Sequence, residues 1–161
     1  MRLVSKIVYF TCVLAMTVRP AMVQGEEPAG VTAKDKLIIE TVLRLQNFDL
    51  ESSAPAKGAV LRYLRAEPGS DRYFELIKRF QPVEITDSLV EYSLANASET
   101  GGVRGAELIF SMKKGDSLAV ITKSDDESKA EAAVQLIGHA AGKNTVAMLL
   151  PLLNDRTVAV A

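Results

Sequence analysis

Residues 127–155 read ESKAEAAVQLIGHAAGKNTVAMLLPLLND. Ala and Leu dominate the first half, and a glycine-containing break follows at 138–143. A second segment, 144–153, carries Val146, Leu149, Leu150 and Leu153 on its expected inward face before Asn154 and Asp155 turn the chain. The apolar residues of both halves recur at helical rather than alternating spacing, so the stretch predicts two helices joined by a turn. Such a hairpin buries only one face by itself and needs neighbours, which is the physical logic of an α-solenoid. Pro151 falls inside the second helix and is expected to kink it. Residues 156–161 look like the opening of another apolar-faced helix that stops before its stripe meets a partner, so the sequence reads as truncated.

Upstream, the same period repeats. Thr32 is placed to cap a helix beginning near Lys34, with Ile38, Ile39, Val42, Leu43 and Leu45 at helical spacing. Residues 47–53 break that pattern. Ser52 or Ser53, followed by Pro55, then predicts a new start for a helix carrying Val60, Leu61 and Leu64. Pro68 and Gly69 end it, Ser70 caps the next, and Tyr73, Phe74, Ile77 and Phe80 form one apolar stripe as far as Pro82. Helical segments are further expected at 86–95, 102–113, 116–123 and 127–138. No stretch has the sustained alternation of a strand.

The first 25 residues differ in kind. Arg2 and Lys6 precede the apolar run 7–18, and no acidic residue occurs before Glu26, which is the pattern of a secretory signal. Arg19 and Pro20 end the run well short of the ~20 apolar residues a membrane-spanning helix needs. Val23 and Gly25 suit the positions three and one before a cleaved bond, which puts the mature start near Glu26 and leaves no stable membrane span. Loss of Arg2, Lys6 and Arg19 leaves 16 basic against 20 acidic residues, a charge of −4. That balance offers no attractive field to a phosphate backbone, so nucleic acid is not an expected partner. The chain has one Cys, Cys12, and one His, His139, so it has no pair from which to build a soft metal site or a Cys/His dyad. Aromatic residues make up only 6% of the chain, so the core must come from Leu, Ile, Val and Ala.

The runs Gln135-Leu136-Ile137-Gly138, Leu149-Leu150-Pro151-Leu152-Leu153-Asn154-Asp155 and Val158-Ala159-Val160-Ala161 resemble the HEAT repeat. A longer resemblance rests on Thr41-Val42-Leu43-Arg44-Leu45, Phe48-Asp49-Leu50, Ala59-Val60-Leu61-Arg62-Tyr63-Leu64 and Tyr73-Phe74-Glu75-Leu76-Ile77-Lys78-Arg79-Phe80. Further on it continues through Gly101-Gly102-Val103-Arg104-Gly105-Ala106-Glu107-Leu108 and the hairpin at 135–155. From Leu37 onward the chain is similar to the helical region of exported haem-binding proteins of the planctomycete and verrucomicrobial type. In that family the region resembles a scaffold placed before a c-type cytochrome domain whose Cys-x-x-Cys-His run attaches haem. No such run exists here, so no haem-ligating position is carried over. The resemblance implies no cofactor in this chain, with haem c belonging to a domain downstream of Ala161. The expected fold is all-α, with short antiparallel helices stacked as a HEAT-like α-solenoid. It divides into a signal peptide at 1–25, a linker at 26–32, an irregular helical region at 33–124 and a HEAT-like hairpin at 125–161.

Residues that invite a chemical role are few. His139 is expected in the turn between two helices, where a single histidine is ordinarily solvated or capping. The run Asp125-Asp126-Glu127 precedes a helix and is better explained by favourable charge at a helix N-terminus than by calcium ligation. Residues 101–105, with three glycines, lack the strand and the Lys-Ser or Lys-Thr of a phosphate loop and are expected to form a flexible interhelical turn. Asn96-Ala97-Ser98 matches a glycosylation triplet by pattern alone. The stripe of Tyr73, Phe74, Ile77 and Phe80 has the period of a core helix. A carboxylate pair able to hydrolyse a glycoside is visible to sequence only as an undifferentiated set of Asp and Glu. No catalytic, cofactor-binding or metal-binding residue is therefore assigned. The expected function is that of a non-catalytic exported scaffold, periplasmic or secreted, that holds a protein partner or an adjoining domain. The alternative is the scaffold half of a c-type cytochrome electron-transfer protein.

Overall fold

The computed structural model describes residues 30–140 together with 146, 149 and 150. The first helix is fixed by a reciprocal cap. The Thr32 hydroxyl accepts the Asp35 N–H at 3.1 Å, while the Asp35 carboxylate accepts the Thr32 N–H at 3.0 Å and its hydroxyl at 2.8 Å. Helix α1 (Ala33–Arg44) follows, ending where Arg79 donates to the free carbonyls of Leu43 and Leu45. Helix α2 (Ala54–Ala66) begins with Ser53 at its N-cap position and a proline in its first turn. Helix α3 (Asp71–Phe80) is capped by the Ser70 hydroxyl, which accepts the Tyr73 N–H at 3.1 Å, and stops at Gln81, whose φ of 46° precedes Pro82.

A 3₁₀ turn (Val83–Ile85) leads into α4 (Thr86–Ala95), α5 (Thr100–Ser111), α6 (Gly115–Ile121) and α7 (Glu127–Ala140). The described residues form no strand, so the all-α expectation stands. The predicted segment 86–95 coincides with α4, and the other boundaries differ by two residues or fewer.

The packing follows from which face of each helix is apolar. Helix α1 lies on α2, and α2 lies on α3 and on the 3₁₀ turn. Helix α4 folds back on α5 through the short connection 96–99. Helix α5 is the hub, touching α3, α4, α6 and α7, so α3, α5 and α7 neighbour one another in that order. Ile39, Leu64, Ile77, Leu89, Ile109 and Leu136 are among the fully buried side chains of one continuous cluster drawn from nearly every helix. Burying a side chain of this size contributes about 1.5–3 kcal/mol each.

Two expectations need correction. The chain does not turn at Gly138, because α7 runs on to Ala140. No described residue crowds Gly138, which lies in an exposed helical position where the surrounding Ala and Leu sustain the helix. Val146 and Leu150, expected inward, are 69% and 55% exposed, and Leu149 alone among the described residues there packs against the core. The rest of that predicted hairpin, including Pro151, Leu153 and residues 154–161, lies outside the described residues, as does the predicted signal at 1–25.

Tyr73 is 1% exposed, and its ring lies 5.3 Å from that of Phe74 and 5.8 Å from that of Tyr92. Burial, which penalises phenolate, pushes its hydroxyl up to about 12. An absorbance titration at about 295 nm is expected to show one tyrosine ionising roughly two pH units after an ordinary phenol. Because the folded value is raised, its contribution to stability is fully present below pH ~10 and is lost as pH rises through 12.

Candidate functional site

The residues singled out from sequence do not converge. His139 sits in the exposed last turn of α7 rather than in a loop. Asp126 accepts the Lys129 N–H at 3.2 Å and caps α7, which is the helix-terminus role expected of the acidic run. Among the described residues no three His, Cys, Asp or Glu side chains come together as a metal site would require. Asn96 donates its side-chain amide to the Tyr92 carbonyl at 2.8 Å and is half-buried, with Ala97 buried beside it. The glycosylation triplet is therefore folded into the end of α4.

The glycine run needs a firmer correction. Residues 101–105 are no flexible turn but the first half of α5, with Gly102 and Gly105 buried against α4. A Cβ on Gly102 would meet the Asn96 carbonyl carbon at 2.5 Å and the Ser93 carbonyl oxygen at 2.9 Å. One on Gly105 would meet the Ser93 hydroxyl and lie 3.4 Å from Leu89. These glycines let two helix backbones approach, which no local propensity rule reports.

Of the carboxylates among the described residues, Asp35 alone is buried, at 2% exposure. It receives Arg62 Nη2 at 2.6 Å and Nε at 3.2 Å, a forked pair joining α1 to α2. The Arg62 hydrogen bond, then the Thr32 N–H, hold its carboxyl well below the usual carboxylate range. A carboxylate so tied is a clamp and not a proton donor. Lys57 does similar work nearer the surface, bridging Glu51 at 2.7 Å and Glu84 at 2.5 Å. Hydrogen bonding to Glu51 and then Glu84 raises its pKa.

A groove of about 570 Å³ lies between α3 and α5. From α3 it takes Asp71, Phe74, Glu75 and Lys78; from α5 it takes Arg104, Glu107, Leu108 and Ser111. Each set has the spacing i, i+3, i+4, i+7, so each is one face of its helix. Gly69 and Gly101 both abut the Tyr92 hydroxyl, so the two helices start side by side and run along the groove together. Phe74 and Leu108, both buried, form its floor. Arg104 lies over the Phe74 ring at 4.5 Å and pairs with Asp71 at 2.9 Å, closing the end nearest Tyr92. A second, polar cleft of about 320 Å³ lies between the 96–99 connection and α7.

No family model, curated protein or solved structure matches this chain. The groove can hold a side chain or a short helix by charge and apolar contact. Sequence reasoning missed it because the two series lie 33 residues apart in the chain, as the Asp71–Arg104 separation records. The available signal was that both helices place charged groups beside an apolar residue at matching steps.

Proposed function

We propose that this chain is a non-catalytic, exported helical scaffold, a stack of short helices that holds a protein partner or an adjoining domain through its outer faces. One observation supports the reading most directly: buried or interhelical charge is used in clamps between side chains, while α3 and α5 leave between them an open groove with an apolar floor and charged walls. Clamps fix geometry, and open amphipathic grooves bind surfaces. The neighbour order α3, α5, α7 agrees with hairpins stacked in the manner of a HEAT-like solenoid, whose successive repeats present one extended face. The basic, then apolar, N-terminal run supports export to the periplasm or beyond.

Fractionation of the native host followed by chemical crosslinking tests this reading. The expected result is a discrete protein adduct of fixed mass in the exported fraction, from a chain whose first residue is Glu26. Retention of the chain in the cytoplasm, or its recovery without any adduct across spacers of several lengths, would overturn it.

A further inference from the structure

The groove between α3 and α5 is selective in charge as well as in shape. Asp71 and Arg104 neutralise each other at one end. Beyond them Glu75 projects from α3 and Glu107 from α5, and among the described residues neither is in an ion pair. Glu75 lies four residues beyond Asp71, and Glu107 three beyond Arg104, so each carboxylate sits about one turn beyond that pair, one on each wall. Arg104 is engaged by Asp71 and Lys78 lies one turn farther along, so between those two cations the carboxylates are placed to receive a third from outside, on a stem that passes the largely buried Phe74 and Leu108.

The length and line of the groove choose the occupant. Eight residues of helix on each wall, 71–78 and 104–111, span about 10 Å, or two turns. A trough of that length between two helices starting side by side is the seat into which a third helix lays a row of side chains. Resting on the interaction-module reading, we propose that this groove docks an amphipathic helix of a partner protein, whose Lys or Arg enters between Glu75 and Glu107 and whose flanking apolar side chains cover the rim of the Phe74–Leu108 floor. The cation meets both carboxylates, and Lys78 at the far end disfavours a helix laid in the reverse charge register.

The probe is a synthetic amphipathic peptide of about four turns with Leu and Lys on one face, blocked at both ends, and its control carries Glu for each Lys. Each is titrated into the full, isotope-labelled chain while backbone amide resonances are followed. The basic peptide is expected to give saturable shifts concentrated at 71–78 and 104–111, weakening as salt is raised. The acidic control should bind at least tenfold more weakly, and the E75Q/E107Q chain should lose tenfold or more of its affinity for the basic peptide. Both positions are exposed, so that chain should keep its helical circular dichroism and melting temperature. Equal binding of the two peptides, shifts elsewhere on the surface, or no shifts at all would overturn the proposal. So would concentration-dependent shifts at the groove without peptide, which would make a second copy its occupant. If the E75Q/E107Q chain crosslinks its host partner as well as the parent does, this inference falls while the scaffold reading stands. If neither chain crosslinks anything, the scaffold reading falls.

Discussion

Gly102→Ala is expected to destabilise the protein by about 2 kcal/mol, against the sign that helix propensity gives. In an unencumbered helix, alanine in place of glycine gains about 1 kcal/mol, because glycine loses more backbone freedom on folding. Here the added methyl would press on the Asn96 and Ser93 carbonyl groups. Those atoms are backbone at the C-terminal end of α4, so no rotamer change relieves the contact and the α4–α5 hairpin must open. Since α5 also touches α3, α6 and α7, opening it disturbs packing well beyond the hairpin. An overpacked site of this kind costs typically 1–3 kcal/mol and occasionally more, which outweighs the propensity gain. Thermal unfolding should fall by roughly 5–10 °C. Gly138→Ala is the matched control. It is also helical, but nothing lies within 4 Å of its added Cβ, so the same change should raise stability by about 0.5–1 kcal/mol. Two Gly→Ala substitutions of opposite sign in one chain, read by thermal melts, separate close packing from intrinsic propensity. Two stabilising results would show that α4 and α5 do not approach as described.

That pair also marks where the sequence could be read and where it could not. Ser70 before Asp71, and Thr32 before Ala33, announce helix starts because a cap is a local bargain between a side chain and the next three N–H groups. The stripe of Tyr73, Phe74 and Ile77 announces burial because its period is a property of one helix. Gly102 looked like a loop because its local preference is for loops, and only the helix pressed against it makes glycine necessary there. His139 reads as a turn residue for the same reason, through its neighbour Gly138, while the helix runs on to Ala140. Asp35 carries no local signal of its clamp, because its partner Arg62 is 27 residues away. The groove belongs to this class too, since neither wall means anything without the other.

The Asp35–Arg62 clamp carries the second large effect. Asp35→Ala is expected to cost about 3 kcal/mol, and Asp35→Asn somewhat less because the amide can still accept from the Thr32 N–H. Two losses coincide at this carboxylate: it closes the Thr32 capping box, and it neutralises a guanidinium largely withdrawn from water, 22% exposed. Removing it takes from that cation the anion that α1 supplies, and breaking a largely buried pair on one side costs more than the pair contributes over a well-packed apolar substitute. Asp35→Leu combined with Arg62→Met should therefore recover part of what Asp35→Ala loses, a non-additivity measurable as a double-mutant cycle. The same clamp predicts the direction of acid sensitivity. The folded state holds the Asp35 carboxyl below its unfolded value, so the unfolded chain binds the proton first as pH falls. The stabilisation is therefore fully present above pH ~4, where the unfolded carboxyl is ionised, and drains away as pH drops through the depressed folded value. Urea unfolding from pH 7 to pH 2 should show the parent losing stability across that window while Asp35→Asn loses less, so the two curves converge toward the acid end. Parallel curves would mean that the carboxylate is not held by Arg62, and that α1 and α2 are joined by apolar contact alone.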